Sequence, residues 1–360
     1  MPGPPAGTAP GASTVAVAVR HGGRRTVAVT GTEDHRGGRP AGARTRFELG
    51  SVSKTYTALL LAEMAARGEV RYADPIGRFL PRGGVPDGPA RAITLLHLAT
   101  HTSGLPRLPP GLLRRAVPRW FSNPYAELDT ADVLAALART RPHAAPGTRV
   151  RYSNFGVGLL GLLLARAAGT GFDRLLADRV LDPLGLAGTG CAAAGQATGY
   201  WHGRPRPAWH IPGLPGAGGI RATAEDLLRY LEALLAPEDT GAPAPLRAAL
   251  ADVARPRLVL PRSGGDRMCL VWNARARPGH DLVFHSGGTR GFVSFVGFSP
   301  QRAVAYAAVA NTAPTLRGTF IQHAYLAFRE LAAGGEATGT GPATGTGEAT
   351  GAGGGGGGGA

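Results

Sequence analysis

The hydrophobic pattern of this chain changes period twice, and that change limits the possible folds more than any other feature. Thr14 to Arg20 and Arg25 to Thr30 are Val/Ala-rich runs joined by His21-Gly-Gly-Arg24, which reads as a β-hairpin. Arg46 to Leu49 reads as a third short strand, Gly50 as a turn, and Val52 to Arg67 as a helix closed by Gly68. From about Ile93 to Val253 the apolar spacing is helical. Candidate helices cover Thr94 to Thr100, Thr130 to Arg139, Asn154 to Ala168, Phe172 to Leu181, Thr223 to Leu235 and Pro245 to Val253. Thr223-Ala-Glu-Asp226 has the form of a capping box. Two-residue alternation then returns. Met268 to Trp272, Leu282 to His285, Phe292 to Phe298 and Ala303 to Ala310 read as antiparallel strands, followed by a helix from Arg317 to Leu331.

Strands at both ends with helices between them imply that the two ends share one sheet. The expected fold class is α+β: an antiparallel β-sheet flanked by helices, plus an all-helical domain. Residues 14–75 and 216–333 would form the α/β domain and residues 76–215 the mainly helical one. The Pro/Gly-rich span from Asp74-Pro75 to Pro89 marks the first boundary. Residues 1–13 and the Gly/Thr/Ala-rich tail 334–360 are expected to be disordered.

Composition excludes several function classes. With 43% apolar and 18% charged residues in 360, the chain is a folded globular protein with room for two cores or one domain with a large insertion. The net charge of +15 raises the question of nucleic acid. The arginines, however, are scattered among Gly and Pro, as in Gly203-Arg-Pro-Arg206-Pro207, with no run of like charges. No nucleic-acid partner is expected, only a mild attraction for anionic substrates. Met1 to Ser13 lacks the basic and apolar regions of a signal peptide, and the apolar helical run Val157 to Ala168 is too short for a bilayer. The expectation is a cytoplasmic protein without a membrane partner. Cys191 and Cys269 are expected as reduced, mostly buried thiols. No dinucleotide or phosphate-loop fingerprint is present, so no cofactor is expected. His97 and His101 lack the Glu of a zinc-peptidase helix and a marked third ligand, so no metal is expected either, and His101 to Pro106 reads as a structural loop.

Lys54 is the only lysine in the sequence, against 38 arginines (39 basic residues less one). Lysine can lose its proton where arginine cannot, and burial or positive potential can lower its pKa by about 3–5 units. Spacing i,i+3 stacks Ser51 and Lys54 on one face at a helix N-terminus, where unpaired N–H groups and the dipole disfavour an ammonium and favour an alkoxide or oxyanion. Ser51 is therefore a candidate nucleophile and Lys54 its base.

Two further motifs carry chemistry. In Tyr152-Ser-Asn154, ahead of an apolar helix, Asn154 is a plausible N-cap, and Tyr152 beside a cationic lysine can lose its proton below its usual value of about 10. His285-Ser286-Gly287-Gly288 closes a strand, where glycine lets a substrate approach closely and can present an N–H to an oxyanion.

Ser51-x-x-Lys54, Tyr152-x-Asn154 and His285-x-Gly287, in that order, resemble the motifs of the penicillin-recognising serine hydrolases. Within them the chain is most similar to the class C β-lactamase, D-alanyl-D-alanine carboxypeptidase and esterase branch. Leu98 to Pro106 and Gly216 to Thr223 are similar to linking segments of that branch, so the resemblance covers roughly residues 14 to 330. It implies a serine β-lactamase/transpeptidase-like α/β sandwich with the site between sheet and helical domain. By that resemblance Ser51 is acylated, Lys54 and Tyr152 handle its proton, and Asn154 holds the substrate amide or carbonyl. The N–H groups of Ser51 and Gly288 form the oxyanion hole, with His285 and Ser286 lining the cleft. The third motif begins with His rather than the Lys of most β-lactamases, a variant of the family's peptidases and esterases. This turns the expectation from lactams toward small esters and amides. Transfer of the acyl group to an amine or alcohol, and a non-turnover acylated sensor, stand as alternatives.

Overall fold

The computed structural model describes residues 8–334 apart from 82–83, 85–87, 113–115, 120–121 and 262. Of the termini expected to be disordered, residues 1–7 and 335–360 lie outside the described residues. Residues 8–13 are packed instead: Ala9 is buried, and the Ser13 N–H donates to Asn311 Oδ1 at 3.0 Å. The chain's end thereby gains both an apolar contact and a partner for its backbone.

Strands β1 (Thr14–His21) and β2 (Arg24–Gly31) form the expected hairpin, Thr14 facing Gly31 and His21 facing Arg24. β1 also pairs with β12 (Val304–Ala310), Val15 opposite Ala310, so the two ends of the chain do meet in one sheet. The remaining strands are β7 (Leu258–Val259), β8 (Arg267–Met268), β9 (Asn273–Arg277), β10 (His280–Gly288) and β11 (Val293–Ser299). The sheet order is β2-β1-β12-β11-β10-β9-β8-β7, antiparallel throughout. Because side chains alternate faces, Ala16 and Ala18 join one apolar cluster while Val17 and Val19 join another on the opposite face. A helix at Ala224–Leu235 covers the first face and one at Thr319–Ala333, through Phe320, Ala324 and Phe328, covers the second.

One expected strand is wrong. Met268 to Trp272 is apolar throughout, but the chain reverses within it: the Cys269 N–H donates to the Trp272 carbonyl at 2.9 Å and Val271 takes φ 68°. The reversal lets β8 pair with β9, and the apolar run is satisfied by burial rather than by a strand face. The strand before Ser51 shrinks to β3 (Phe47–Glu48), which pairs not with the large sheet but with β6 (Arg221–Ala222). The capping box is half made. Thr223 Oγ1 accepts from the Asp226 N–H, while the Asp226 carboxylate takes the Thr189 hydroxyl instead of returning a bond.

Helix α1 (Ser53–Ala66) is buried on every side from Ser53 to Met64, which its apolar stripe alone did not suggest. It lies within an apolar cluster that runs unbroken from the sheet face through α2 (Leu95–Ala99), α3 (Thr130–Ala138), α4 (Asn154–Ala167) and α5 (Phe172–Leu176). No single helix among the described residues is long and apolar enough to cross a membrane.

The short β3–β6 ladder is locked by a buried ion pair. Arg221 and Glu48, 2% and 3% exposed, lie 3.6 Å apart. The guanidinium also donates to Gln196 Oε1 and to the carbonyls of Cys191, Gly219 and Trp209. Glu48 accepts from the Trp209 N–H and the Thr289 hydroxyl. Removing one partner of such a pair strands the other charge. Arg221→Met should therefore lower unfolding stability by about 3–5 kcal/mol, read from a urea transition; a loss under about 1 kcal/mol would mean that the pair does not hold this ladder.

Candidate active site

The turn into α1 is set by its contact with the end of β10. Gly50 adopts φ 51°, and a Cβ there would sit 2.6 Å from the Gly288 nitrogen. A Cβ on Gly287 would lie 2.1 Å from the Leu49 carbonyl oxygen and 2.9 Å from the Ser51 nitrogen. Only glycine on both sides allows these backbones to touch. The Ser294 hydroxyl donates to the Leu49 carbonyl at 2.7 Å and fixes the approach. Ser51 thus stands on a single 3₁₀ turn, Gly50–Val52, just ahead of α1 rather than inside it.

The first turns of α1 are stitched to the segment before β6. The Ile220 N–H donates to Ser53 Oγ at 3.0 Å, Thr57 Oγ1 donates to the Gly216 carbonyl at 2.9 Å, and Lys54 Nζ donates to the Ala217 carbonyl at 2.6 Å. Lys54 is wholly buried and lies beneath the cleft, with Nζ 2.9 Å from Ser51 Oγ. Neither hydrogen-bond partner is a carboxylate. Burial, with a smaller contribution from Arg107, pushes the amine well below the usual lysine range and toward its uncharged form. A neutral amine has one lone pair, and Ser51 Oγ is placed to donate into it.

Tyr152 completes the trio, its hydroxyl donating to Ser51 Oγ at 2.5 Å. Its ionisation differs from the expectation. Burial pushes the phenol up to about 12, against the weaker opposing pull of the Ser51 hydrogen bond and Arg107. A lysine driven toward neutrality offers no cation to stabilise a phenolate, so the tyrosine keeps its proton. The Lys54 amine and the Arg107 guanidinium stand 5.0 and 5.2 Å from its ring centroid.

Asn154 is not the N-cap. Ser153 takes that place, its Oγ accepting from the Gly156 N–H at 2.8 Å and donating to the Pro106 carbonyl at 2.6 Å. The smaller hydroxyl reaches both groups and leaves the Asn154 amide to the cleft. Asn154 Nδ2 donates to the Tyr125 hydroxyl at 3.2 Å, and its buried Oδ1 has no protein partner. His285, on β10, is buried, and burial followed by the nearby Lys54 pushes it down to about 3, so it is a neutral imidazole at physiological pH.

These groups surround one cleft of about 660 Å³. Ser51, Tyr152, Asn154 and the run His285, Ser286, Gly287, Gly288 all line it, and Lys54 reaches Ser51 Oγ from beneath. The N–H groups of Ser51 and Gly288 belong to the two backbones that Gly50 and Gly287 hold in contact.

The Beta-lactamase family profile matches residues 6–329. The chain belongs to the β-lactamase family. A β-lactamase of Escherichia coli K12 is 33% identical over 231 residues, covering 62% of this chain and 57% of that protein. A β-lactamase of Pseudomonas fluorescens is 32% identical over 231 residues, 62% of this chain and 60% of that protein. The D-alanyl-D-alanine-carboxypeptidase/endopeptidase AmpH of E. coli K12 is 27% identical over 292 residues, 75% of this chain and 71% of that protein. The match thus spans somewhat under two thirds of the first two relatives' length.

Within this family frame the two linking segments prove to be structural parts of the site. Gly216 to Thr223 supplies the Ala217 carbonyl. Leu98 to Pro106 supplies His101, whose ring lies 4.6 Å from that of Tyr152 and whose Nδ1 accepts the Ser153 N–H at 3.2 Å. His101 is buried, adopts φ 57°, and is pushed down to about 3, chiefly by burial. His97 turns its Nδ1 to the Thr94 N–H and caps its own helix. Arg107, Tyr125, Trp209 and Arg290 also line the cleft, and nothing in their local sequence distinguishes them.

Two outcomes follow from this geometry. Lys54 has its folded pKa depressed, so from the unfolded value of 10.5 down toward the folded one only the unfolded chain takes up the proton. Stability should rise with pH through that window in the wild type. Lys54→Met should remove the rise and be the more stable protein at pH 7, as read from urea midpoints of both proteins between pH 7 and 10. Gly287→Ala should push the end of β10 off the Leu49 carbonyl and lower unfolding stability by about 1–3 kcal/mol, read from a urea transition, while the circular dichroism spectrum is retained; an unchanged midpoint would mean that this backbone contact is not tight.

Proposed function

We propose that this cleft hydrolyses a small ester or amide through an acyl-enzyme on Ser51. The observation that carries the reading is a buried lysine amine, 2.9 Å from a serine hydroxyl and bonded otherwise only to a carbonyl. Such an amine is poised to accept a proton rather than to hold a charge.

In the proposed sequence, Lys54 Nζ takes the Ser51 hydroxyl proton as Oγ bonds to the substrate carbonyl carbon. The N–H groups of Ser51 and Gly288 receive the developing oxyanion. The tetrahedral centre then collapses, breaking the bond to the leaving group. That group receives a proton from the Tyr152 hydroxyl, and the phenolate so formed takes the proton held on the Lys54 ammonium, both groups lying beside Oγ. Water attacks the acyl-enzyme along the reverse relay and returns the proton to Ser51. Asn154, which lines the cleft, is suited to hold a substrate amide or carbonyl.

Relatives named as β-lactamases and as a D-alanyl-D-alanine carboxypeptidase support an amide bond, cyclic or peptide, among the substrates. A neutral His285 in the third motif supports less demand for a charged group beside the reacting bond, as with simple esters.

A fluorophosphonate probe and a fluorescent penicillin, followed by peptide mapping, test the reading. Label is expected on Ser51 and is lost in Ser51→Ala together with turnover of p-nitrophenyl esters; undiminished turnover in that variant would end the proposal. Tyr152→Phe should lower turnover about 10²–10⁴-fold. The free-enzyme rate should fall tenfold per pH unit once acid protonates Lys54, with no compensating limb from Tyr152 below about pH 12.

A further inference from the structure

A cation that the proton path above does not use is held against the ring through which that path runs. Arg107 is exposed and lines the cleft, and its Cζ lies 5.2 Å from the Tyr152 ring centroid. Its backbone is fastened to the segment that carries the tyrosine. The Arg107 carbonyl accepts the Asn154 and Phe155 N–H groups at 3.0 and 3.2 Å, and the neighbouring Pro106 carbonyl accepts the Ser153 hydroxyl. These bonds satisfy N–H groups at the start of α4, so one helix terminus sets Arg107 and Tyr152 relative to each other. Lys54 Nζ stands 5.0 Å from the same centroid, which puts it no more than about 10 Å from the Arg107 Cζ.

Nothing close by cancels this charge. Among the described residues no Asp or Glu lines the cleft, and none forms an ion pair with Arg107. His101 and His285 are held neutral, and burial raises the Tyr125 phenol. Arg290, the other cation of the lining, stacks on Trp201 in the hairpin of β4 (Gly199–Trp201) and β5 (Arg204–Arg206), with Cζ 5.2 Å from that ring's centroid. Two charges come and go at the relay. Tyr152 becomes a phenolate when the leaving group takes its proton, and Lys54 is an ammonium until the phenolate takes the proton back. A fixed cation stabilises the first and destabilises the second.

We infer that Arg107 is a positioning residue of the proton relay, its charge held on the Tyr152 ring so that the phenol donates more readily and the Lys54 amine is kept free of a proton. This rests on the acyl-enzyme reading above. The pull of Arg107 on both groups has the required direction, downward for each. Because the effect is one of charge, it needs no particular orientation of the guanidinium N–H groups.

The test uses phenyl acetate and p-nitrophenyl acetate, neutral esters with the same acyl group. Phenolate leaves poorly without a proton, whereas p-nitrophenolate leaves readily. In Arg107→Gln the ratio of kcat/KM for the phenyl ester to that for the p-nitrophenyl ester should fall about two- to fivefold. The acid limb of kcat/KM should move up by about 0.3–1 pH unit, and less at about 1 M salt because the guanidinium is exposed. Arg107→Lys should recover both. The ratio cancels any general loss of activity, so a merely structural role would not move it. An unmoved ratio, an unmoved limb, or an Arg107→Lys variant that behaves like Arg107→Gln would overturn the inference while leaving the acyl-enzyme intact. If Ser51 is neither labelled nor active, the chemistry falls separately, and the sole lysine of the chain still decides the matter. In protein grown on carbon-13-labelled lysine, the one side-chain Cε resonance follows the charge on Lys54. A titration midpoint higher by about 0.3–1 pH unit in Arg107→Gln supports the inference; equal midpoints, or no titration in either protein, refute it.

Discussion

The arrangement depends on one amine kept dry. Lys54 has no carboxylate to neutralise it, and the first turns of α1 around it are sealed by hydrogen bonds to Gly216, Ala217 and Ile220. Taking an ammonium out of water without a partner is so unfavourable that the group sheds its proton instead. An arginine in the same place would stay charged and disrupt the helix start. In a chain whose other basic residues are all arginine, the single lysine stands where deprotonation is the only tolerable outcome of burial. Ser51, just outside the seal, has its hydroxyl within reach of that lone pair and lines the cleft.

A base so placed is useful only if the rest of the site is held to within fractions of an ångström. The sheet side does this through backbone contact at Gly50 and Gly287, where no side chain intervenes to add freedom. The Glu48–Arg221 pair then ties β3, β6, Thr289 and the Trp209 segment into one block beneath the cleft. On the helical side the Tyr152 segment is fixed by Ser153 to Pro106 and by His101, a buried imidazole in left-handed backbone geometry. Strain at a non-glycine residue of this kind persists only where the surroundings overdetermine it, and here they adjoin the proposed proton relay.

Much of this was legible because period and spacing are local properties. Val/Ala-rich runs around a Gly-Gly turn mark β1 and β2, alternation marks β11 and β12, and the three-residue step from Ser51 to Lys54 survives although Ser51 precedes the helix. Misreadings arose where the environment decides. Met268 to Trp272 is apolar because it is buried, and burial looks the same in a strand and in a reversal. Ser153 displaced Asn154 as the cap because only the tertiary structure put the Pro106 carbonyl beside its hydroxyl. Tyr152 was expected to ionise because a lysine was counted as a cation, whereas its charge state is itself a product of the fold. Arg107, Trp209 and Arg290 reach the cleft from three separate segments, a convergence that no local pattern records.

The charge distribution gives the site a further logic. His285 and His101 are held neutral, Lys54 is driven toward neutrality and Tyr152 keeps its proton, so the chemistry sits in an interior with little fixed charge. The cations lie at the rim, on Arg107 and Arg290, within a chain of net charge +15. In the proposed reaction such a field would attract an anionic substrate over a distance of about a Debye length and leave the oxyanion to short, fixed N–H dipoles. Had the cations stood beside Ser51, they would have stabilised a bound carboxylate in the ground state as well as the transition state, and raised affinity without raising turnover. Separating the charges that attract from the dipoles that stabilise would let one cleft do both.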